Sequence, residues 1–233
     1  MSAFLEALRS KTSRGLVPVI PDFKRISPSN GPLFRERDPI AMAEAMVGAG
    51  APALSVVTEE THFGGSLAFL REIVRAAGIP VLRKDFIQSA ADVEETAACG
   101  ASAVLLICAS MPEQALRECY AAALDLGLDP LVETHTAEEL RLAADLGCPL
   151  VGINNRDILA LEKDGGGVGR TADLAALKSP GAFLISESGL QSPADVRRAV
   201  RSGADGVLIG TAIWRAPDPV AFYEALSRAE DAP

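Results

Sequence analysis

Three charged residues stand together in PVLRKDFI, residues 80–87, directly after a short apolar run: Arg83, Lys84 and Asp85. VIPDFKRISPSNG, residues 19–31, does the same with Asp22, Lys24 and Arg25, and Ser27 follows. Polar residues close other apolar runs too: Thr58, Glu59 and Glu60; Glu133; Asn154 and Arg156; Glu187, Ser188 and Gly189; Gly210 and Thr211. Taken singly, each reads as a solvated loop residue, and Lys84 could simply pair with Asp85. Burying several charges costs several kcal/mol each unless they are paired. A fold that gathers such a set on one rim has chemistry to do there. The types narrow that chemistry. Lys24, Lys84 and Arg156 supply positive charge; Asp22, Glu133 and Glu187 supply carboxylates; Asn154 and the serines supply neutral hydrogen bonds. No His, Cys or metal-ligand cluster joins them, so nucleophilic triads and metal hydrolysis score poorly. Proton transfer by lysine and carboxylate on an anionic substrate scores well.

The elements that must position these residues are legible as punctuation. Apolar runs at 17–20, 53–57, 80–82, 103–107, 130–132, 150–153, 182–185 and 206–209 lack in/out alternation, which predicts strands buried on both faces. Amphipathic stretches lie between them, and the phrase "helix, Gly-Ala-x-Ala, strand" recurs at Gly50, Gly100 and Gly203. Thr136 with Glu139 predicts a capping box, and Ser192-Pro193 a helix start. Eight strand–helix units in this length favour one closed (β/α)8 barrel over residues 1–233, with a short N-terminal helical segment at 1–14. An open doubly wound sheet would carry a Gly-rich phosphate fingerprint after its first strand, and DFKRISPSNG has none. In such barrels the active site lies at the carboxyl ends of the strands, where the polar residues above all fall. SESGL and LIGTAIWR set Gly, Ser and Thr where backbone N–H groups can approach a phosphate, and TAIW fits a short extra helix beside it. LEKDGGGVGRT, residues 161–171, reads as a mobile loop.

The bulk composition sets limits. The chain has 233 residues, 48% of them hydrophobic, enough for a core without disulfide or metal staples. Its net charge of −9, without a basic patch, argues against nucleic acid. Cys99, Cys108, Cys119 and Cys148 form no C-x-x-C pair and read as small buried hydrophobes of a reducing cytoplasm. Charges run through residues 1–14, unlike a secretory signal, and no apolar run is long enough to span a bilayer.

Seven ordered motifs, FKRISPSNG, ALSVVTEETHFGGS, PVLRKDFI, LVETH, VGINNRD, ISESGL and LIGT, cover roughly residues 17–215 and resemble the indole-3-glycerol-phosphate synthase family of tryptophan biosynthesis. The resemblance implies closure of the indole ring of 1-(2-carboxyphenylamino)-1-deoxyribulose 5-phosphate, with loss of CO2 and water and without cofactor or metal. It implies Lys84 as the general acid at the ketone and Glu133 as the acid/base of dehydration. Lys24 would pair with the substrate carboxylate, and Arg156 would hold Glu133 or the departing carboxylate. Asn154, Glu187 and Asp22 would complete the catalytic set. Ser27, Gly189, Gly210 and Thr211 would surround the phosphate, with Ser188 close by. Phe63, Phe86, Leu105 and Ile158 would line the anthranilate pocket. Neighbouring cations are expected to lower the lysine pKa toward the working pH.

Three departures from the family pattern stand out: Asp22 where Glu is usual, residues 4–9 as the last part only of an N-terminal extension that covers the pocket, and the Gly-rich loop at 164–169. They leave two alternatives beside the synthase: a paralogous phosphosugar-barrel enzyme on a related indole or anthranilate phosphate, and a non-catalytic phosphate-ligand binding subunit. The expected partner is a small phosphorylated substrate, with no nucleic acid and no membrane, and the expected state a monomer or weak homo-oligomer.

Overall fold

A computed structural model describes residues 3–156 and 167–228. Eight strands run parallel around a closed barrel: β1 (Val19–Phe23), β2 (Leu54–Val57), β3 (Val81–Lys84), β4 (Ala103–Ile107), β5 (Asp129–Thr134), β6 (Leu150–Asn154), β7 (Phe183–Glu187) and β8 (Gly206–Ile209). Each is hydrogen-bonded to its sequence neighbours, and β1 closes the ring against β8 through Val19↔Val207 and Ile20↔Leu208. All eight predicted strands are present. Most begin or end one to three residues away from the apolar runs, chiefly because the ladder continues through polar residues. Asp22, Lys84, Glu133, Asn154 and Glu187 are strand residues, not loop residues. Backbone pairing is indifferent to side-chain polarity, so an apolar run underestimates a strand whose last inward residue is charged.

Successive strand side chains face opposite sides. Ile20, Leu82, Leu105, Leu131, Leu150, Ile185 and Leu208 fill the barrel interior. Val19, Val81, Val104, Leu106, Val132, Val151, Leu184 and Val207 pack outward against the helices. Both faces are thus buried, as the unbroken apolar runs predict. The alternation also explains the three charges of PVLRKDFI. Lys84 lies two residues beyond Leu82 and takes the inward direction. Arg83 points outward, buried beneath the helix Ala90–Ala98, where it donates to Thr58 Oγ1 (3.0 Å), the Asp92 carbonyl (3.1 Å) and Asp85 Oδ2 (3.2 Å). Asp85 in turn accepts from Thr58 Oγ1 at 2.5 Å, which fixes the loop after β3.

The helices are α1 (Ala3–Thr12), α2 (Pro39–Gly48), α3 (Leu67–Ala77), α4 (Ala90–Ala98), α5 (Glu113–Asp125), α6 (Ala137–Asp145), α7 (Gly169–Leu174), α8 (Pro193–Arg201), α9 (Thr211–Arg215) and α10 (Pro219–Ser227). Side-chain caps start most of them: Asp38, Ser66, Ser89, Thr136, Ser192 and Asp218 each accept from an early backbone N–H. At α6 the expected box is altered. Thr136 accepts from the Glu139 N–H, but Glu139 reaches one residue further back, to the His135 N–H at 2.5 Å.

The sequence by itself does not place the N-terminal helix. Phe4, Leu5 and Leu8 of α1 pack into the interior cluster, and Asp129, at the first residue of β5, accepts from the Phe4 and Leu5 N–H groups at 3.0 Å. Strands start at that end, so α1 plugs the floor of the barrel and does not cover the mouth.

Candidate active site

The inward register turns polar in its top layer. Two residues past Ile20 comes Asp22; past Ala53, Ser55; past Leu82, Lys84; past Leu131, Glu133; past Ile185, Glu187; past Leu208, Gly210. On β6 the inward positions read Leu150, Gly152, Asn154. Adjacent strands then bring the groups together, with Ile107 opposite Glu133 and Asn154 opposite Glu187 in the ladder.

Lys84 stands at the centre. Its Nζ lies 3.3 Å from Glu133 Oε2 and 3.6 Å from Glu187 Oε2. Asn154 Nδ2 donates to the other oxygen of Glu133, Oε1, at 3.1 Å. Asp22 accepts from Ser55 Oγ at 2.7 Å. Its carbonyl takes the Trp214 indole N–H at 2.7 Å, tying β1 to α9. Lys24 Nζ sits 5.7 Å from the centroid of the Phe63 ring. Phe63 is held by Glu59, whose carboxylate accepts from the backbone N–H groups of Thr61, His62 and Phe63.

These neighbours set the charge states. Burial opposes the Lys84 ammonium, but Glu133, Glu187 and Asp22 outweigh it and hold its pKa above the ordinary lysine value. That reverses the sequence expectation of a lysine lowered by cations, because its close partners in the fold are carboxylates. Burial also works to raise the Glu133 pKa, yet the Lys84 charge, His135 and the Asn154 hydrogen bond hold it below the usual carboxylate range. For Glu187, burial and then the Glu133 charge prevail over Lys84 and push its pKa up to about 8. The mouth therefore holds an ammonium, a carboxylate and a carboxylic acid side by side near neutral pH. Two carboxyls driven apart in pKa are the arrangement from which acid and base roles arise.

Above them opens a cavity of about 570 Å3. Of the residues predicted from sequence, Asp22, Lys24, Phe63, Lys84, Phe86, Leu105, Glu133, Asn154, Arg156, Ser188, Gly189, Gly210 and Thr211 line it. Two do not. Glu187 is fully buried behind Lys84, and Ser27 is fully buried beneath Asn30, whose Nδ2 donates to its Oγ at 3.1 Å. Ile158 lies outside the described residues, as do 164–166 of the Gly-rich loop. The described end of that loop, Gly167, donates to the Gly189 carbonyl at 3.2 Å. A Cβ on Gly189 would come within 2.4 Å of the Gly167 carbonyl oxygen, and both Ser188 (φ 63°) and Gly189 (φ 75°) adopt left-handed backbone. The predicted short helix after β8 is α9, and its first residue, Thr211, lines the cavity.

Several residues of the site escaped the sequence reading. Ser55 and Gly152 were findable by counting in twos along their strands. Gly152 leaves space for Glu187, whose Oε1 would be 2.1 Å from a Cβ there. Asn155 and Arg215 gave no such signal. Asn155 donates to Ser186 Oγ and to the carbonyls of Glu187 and Ser188, bracing the end of β7. Arg215 lines the cavity and donates to Asn30 Oδ1 at 2.5 Å.

Comparison with known proteins agrees with this geometry. A family model described as indole-3-glycerol phosphate synthase matches residues 1–226. A protein of that name from Pyrococcus furiosus is 44% identical over 214 residues, covering 91% of this chain and 92% of the relative. Its counterpart in Thermococcus kodakarensis is 44% identical over 212 residues, with the same coverage. One from Kineococcus radiotolerans is 44% identical over 211 residues, covering 91% of this chain and 76% of the relative. With the family model matched along nearly its whole length, the chain belongs to the indole-3-glycerol phosphate synthase family.

Proposed function

We propose that the protein is a carbon–carbon lyase of tryptophan biosynthesis. It closes the indole ring of 1-(2-carboxyphenylamino)-1-deoxyribulose 5-phosphate, losing CO2 and water. The observation that carries this reading is the Lys84 ammonium set between Glu133 and Glu187 on the wall of the cavity. Attack of the ring carbon on the ketone builds negative charge on oxygen, and a fixed ammonium beside it lowers that barrier. A raised lysine pKa does not obstruct the transfer, because an alkoxide is a far stronger base than the amine. Glu133, ionised, accepts and returns protons during dehydration. Glu187, neutral near pH 7, lies close enough to restore the proton that Lys84 gives up.

The remaining roles follow from position. Lys24 pairs with the substrate carboxylate, and Arg156 holds that carboxylate or Glu133. Phe63, Phe86 and Leu105, with Ile158, form the apolar wall for the anthranilate ring. The backbone of Gly189, Gly210 and Thr211, with Ser27 and Ser188, takes the phosphate. Asn154 orients Glu133. Asp22, one methylene shorter than the usual Glu, is steadied by Ser55 and lies against Gly210. Family membership with Lys84 and Glu133 both in place favours this reading over a paralogue or a binding subunit. The same reading makes the enzyme a cytoplasmic monomer or weak homo-oligomer; among the described residues no helix is long and apolar enough to cross a membrane.

The test is incubation with the carboxyphenylamino-deoxyribulose phosphate, following indole fluorescence. Product should form with wild type and fall at least a hundredfold with Lys84→Met, a loss on the scale of removing one general acid, about 10^2–10^4. Substrate binding without turnover by wild type would overturn the reading.

A further inference from the structure

We propose that His135 is a positioning residue for ring closure, clamping the Glu133 carboxylate from behind while Lys84 and the substrate meet it from the cavity. The proposal rests on the ring-closure reading. Glu133 presents its two oxygens in different directions. Oε2 faces Lys84 Nζ at 3.3 Å; Oε1 faces away, toward Asn154 Nδ2 at 3.1 Å and His135 Nε2 at 3.6 Å. The imidazole belongs to the residue just beyond the end of β5, two after Glu133, and lines a second hollow with Asn155, Arg170 and Asp173, on the far side of Glu133 from Lys84.

His135 is itself backed. Its Nδ1 lies 3.6 Å from Glu139 Oε2, and that same oxygen accepts the His135 backbone N–H at 2.5 Å. Glu139 is anchored in the first turn of α6, its N–H bonded to the Thr136 cap. The order Glu139–His135–Glu133 is thus a carboxylate, an imidazole and a second carboxylate in line, the base oriented by a group that is oriented in turn. The imidazole is only 9% exposed, and among the described residues neither ring nitrogen has a partner in hydrogen-bond geometry. A buried imidazole is costly to leave in that state unless its partner tightens during the reaction, and contacts of this kind are often long before substrate binds. Among the described residues, the charged and titratable groups around it are Glu133 on β5, Glu139 on α6 and Arg170 and Asp173 on α7, with Cys108, after β4, near both glutamates. Burial, followed by the nearby acidic groups, pushes the Cys108 thiol up to about 12, so it stays neutral through the working range.

His135 contributes to holding the Glu133 carboxyl below its ordinary range. Its removal lets burial act with less opposition, and the base form of Glu133 is then reached only at higher pH. His135→Ala should lower kcat about tenfold, less than the roughly hundredfold that a misplacement of about 1 Å can cost, with KM changed less than twofold. The acidic limb of log kcat against pH should move to higher pH. His135→Gln, which keeps a donor amide, should recover part of kcat, and Glu139→Gln should shift the same limb by a smaller amount. A pH profile unmoved in all three variants, or a kcat loss that tracks the loss of Tm alone, overturns the proposal. A readout without turnover separates it from the ring-closure reading. Only two histidines occur in the chain. The imidazole 15N signals of His135, assigned with His62→Gln, should change in Glu133→Gln while those of His62 do not. Unchanged His135 signals sink the clamp even if the enzyme is active. Changed signals with an inactive wild type leave the contact standing and refute the reaction.

Discussion

Glu133 and Glu187 are the same residue type and flank the same ammonium, yet they hold opposite protonation preferences. Glu133 collects an ammonium, an amide and an imidazole; Glu187 collects one shared ammonium and the field of Glu133. This difference predicts a pH dependence of stability. Glu187 binds its proton more tightly folded than unfolded, so its stabilising contribution is complete below about 4.5 and is lost as pH rises through about 8. The Tm of wild type minus that of Glu187→Gln should therefore decline from about pH 5 to about pH 9. A flat difference would show that Glu187 is ionised throughout. Gly152 gives the second test at this scale. Gly152→Ala puts a Cβ 2.1 Å from Glu187 Oε1, and the carboxyl must move off Lys84. A misplacement of about 1 Å costs on the order of a hundredfold in rate, so kcat should fall by that factor with KM less affected. Near-normal kcat would mean that the position of Glu187 is immaterial.

At the scale of elements, the barrel separates its two ends. The mouth carries the polar layer, and the floor is closed by α1, whose Phe4, Leu5 and Leu8 continue the interior core. Leu8 is fully buried, so Leu8→Ala should cost about 2–5 kcal/mol of stability through lost burial and the cavity left behind. Its kcat and KM, measured well below Tm, should stay within about twofold of wild type, because a change to one end of the barrel does not touch the other. Chemical denaturation and steady-state assays decide it: unchanged stability would show that α1 is a loose appendage, and a lost kcat would show that floor and mouth are coupled. The predicted strands matched the observed ones because two-sided burial leaves a plain apolar signature. Five of their carboxyl ends, those of β1, β3, β5, β6 and β7, did not, because there the ladder carries on past the apolar run into the residues of the site. The placement of α1 was likewise not legible. An amphipathic decapeptide declares that it has an apolar face, not which end of the barrel will receive it.

At the scale of the whole molecule, a strongly acidic protein carries a local cationic set, Lys24, Lys84, Arg156 and Arg215, around a cavity that binds an anion in our reading. Those side chains come from β3, from α9 and from the segments after β1 and β6, so a ligand that touches them cross-links the barrel. Indole-3-glycerol phosphate at about 100 times its Kd should add about 2.7 kcal/mol and raise Tm by roughly 5–10 °C. Inorganic phosphate alone, reaching only the Gly189–Gly210 end, should give a smaller rise. No shift with the product would argue that the cavity is not its site.

The sequence alone determined the barrel, the end of it at which polar residues gather, and about half of the residues that line the cavity. Strand burial and helix capping are local signals, and a barrel delivers every strand's carboxyl end to one place whatever the side chains there. Tertiary structure decided how those residues act on one another. That Lys84 is flanked by carboxylates, that Glu187 is proton-bearing while Glu133 is not, and that Gly152 makes room for Glu187 all depend on the stagger between neighbouring strands. Stagger is fixed by closure of the whole ring, a condition that no single stretch of sequence contains.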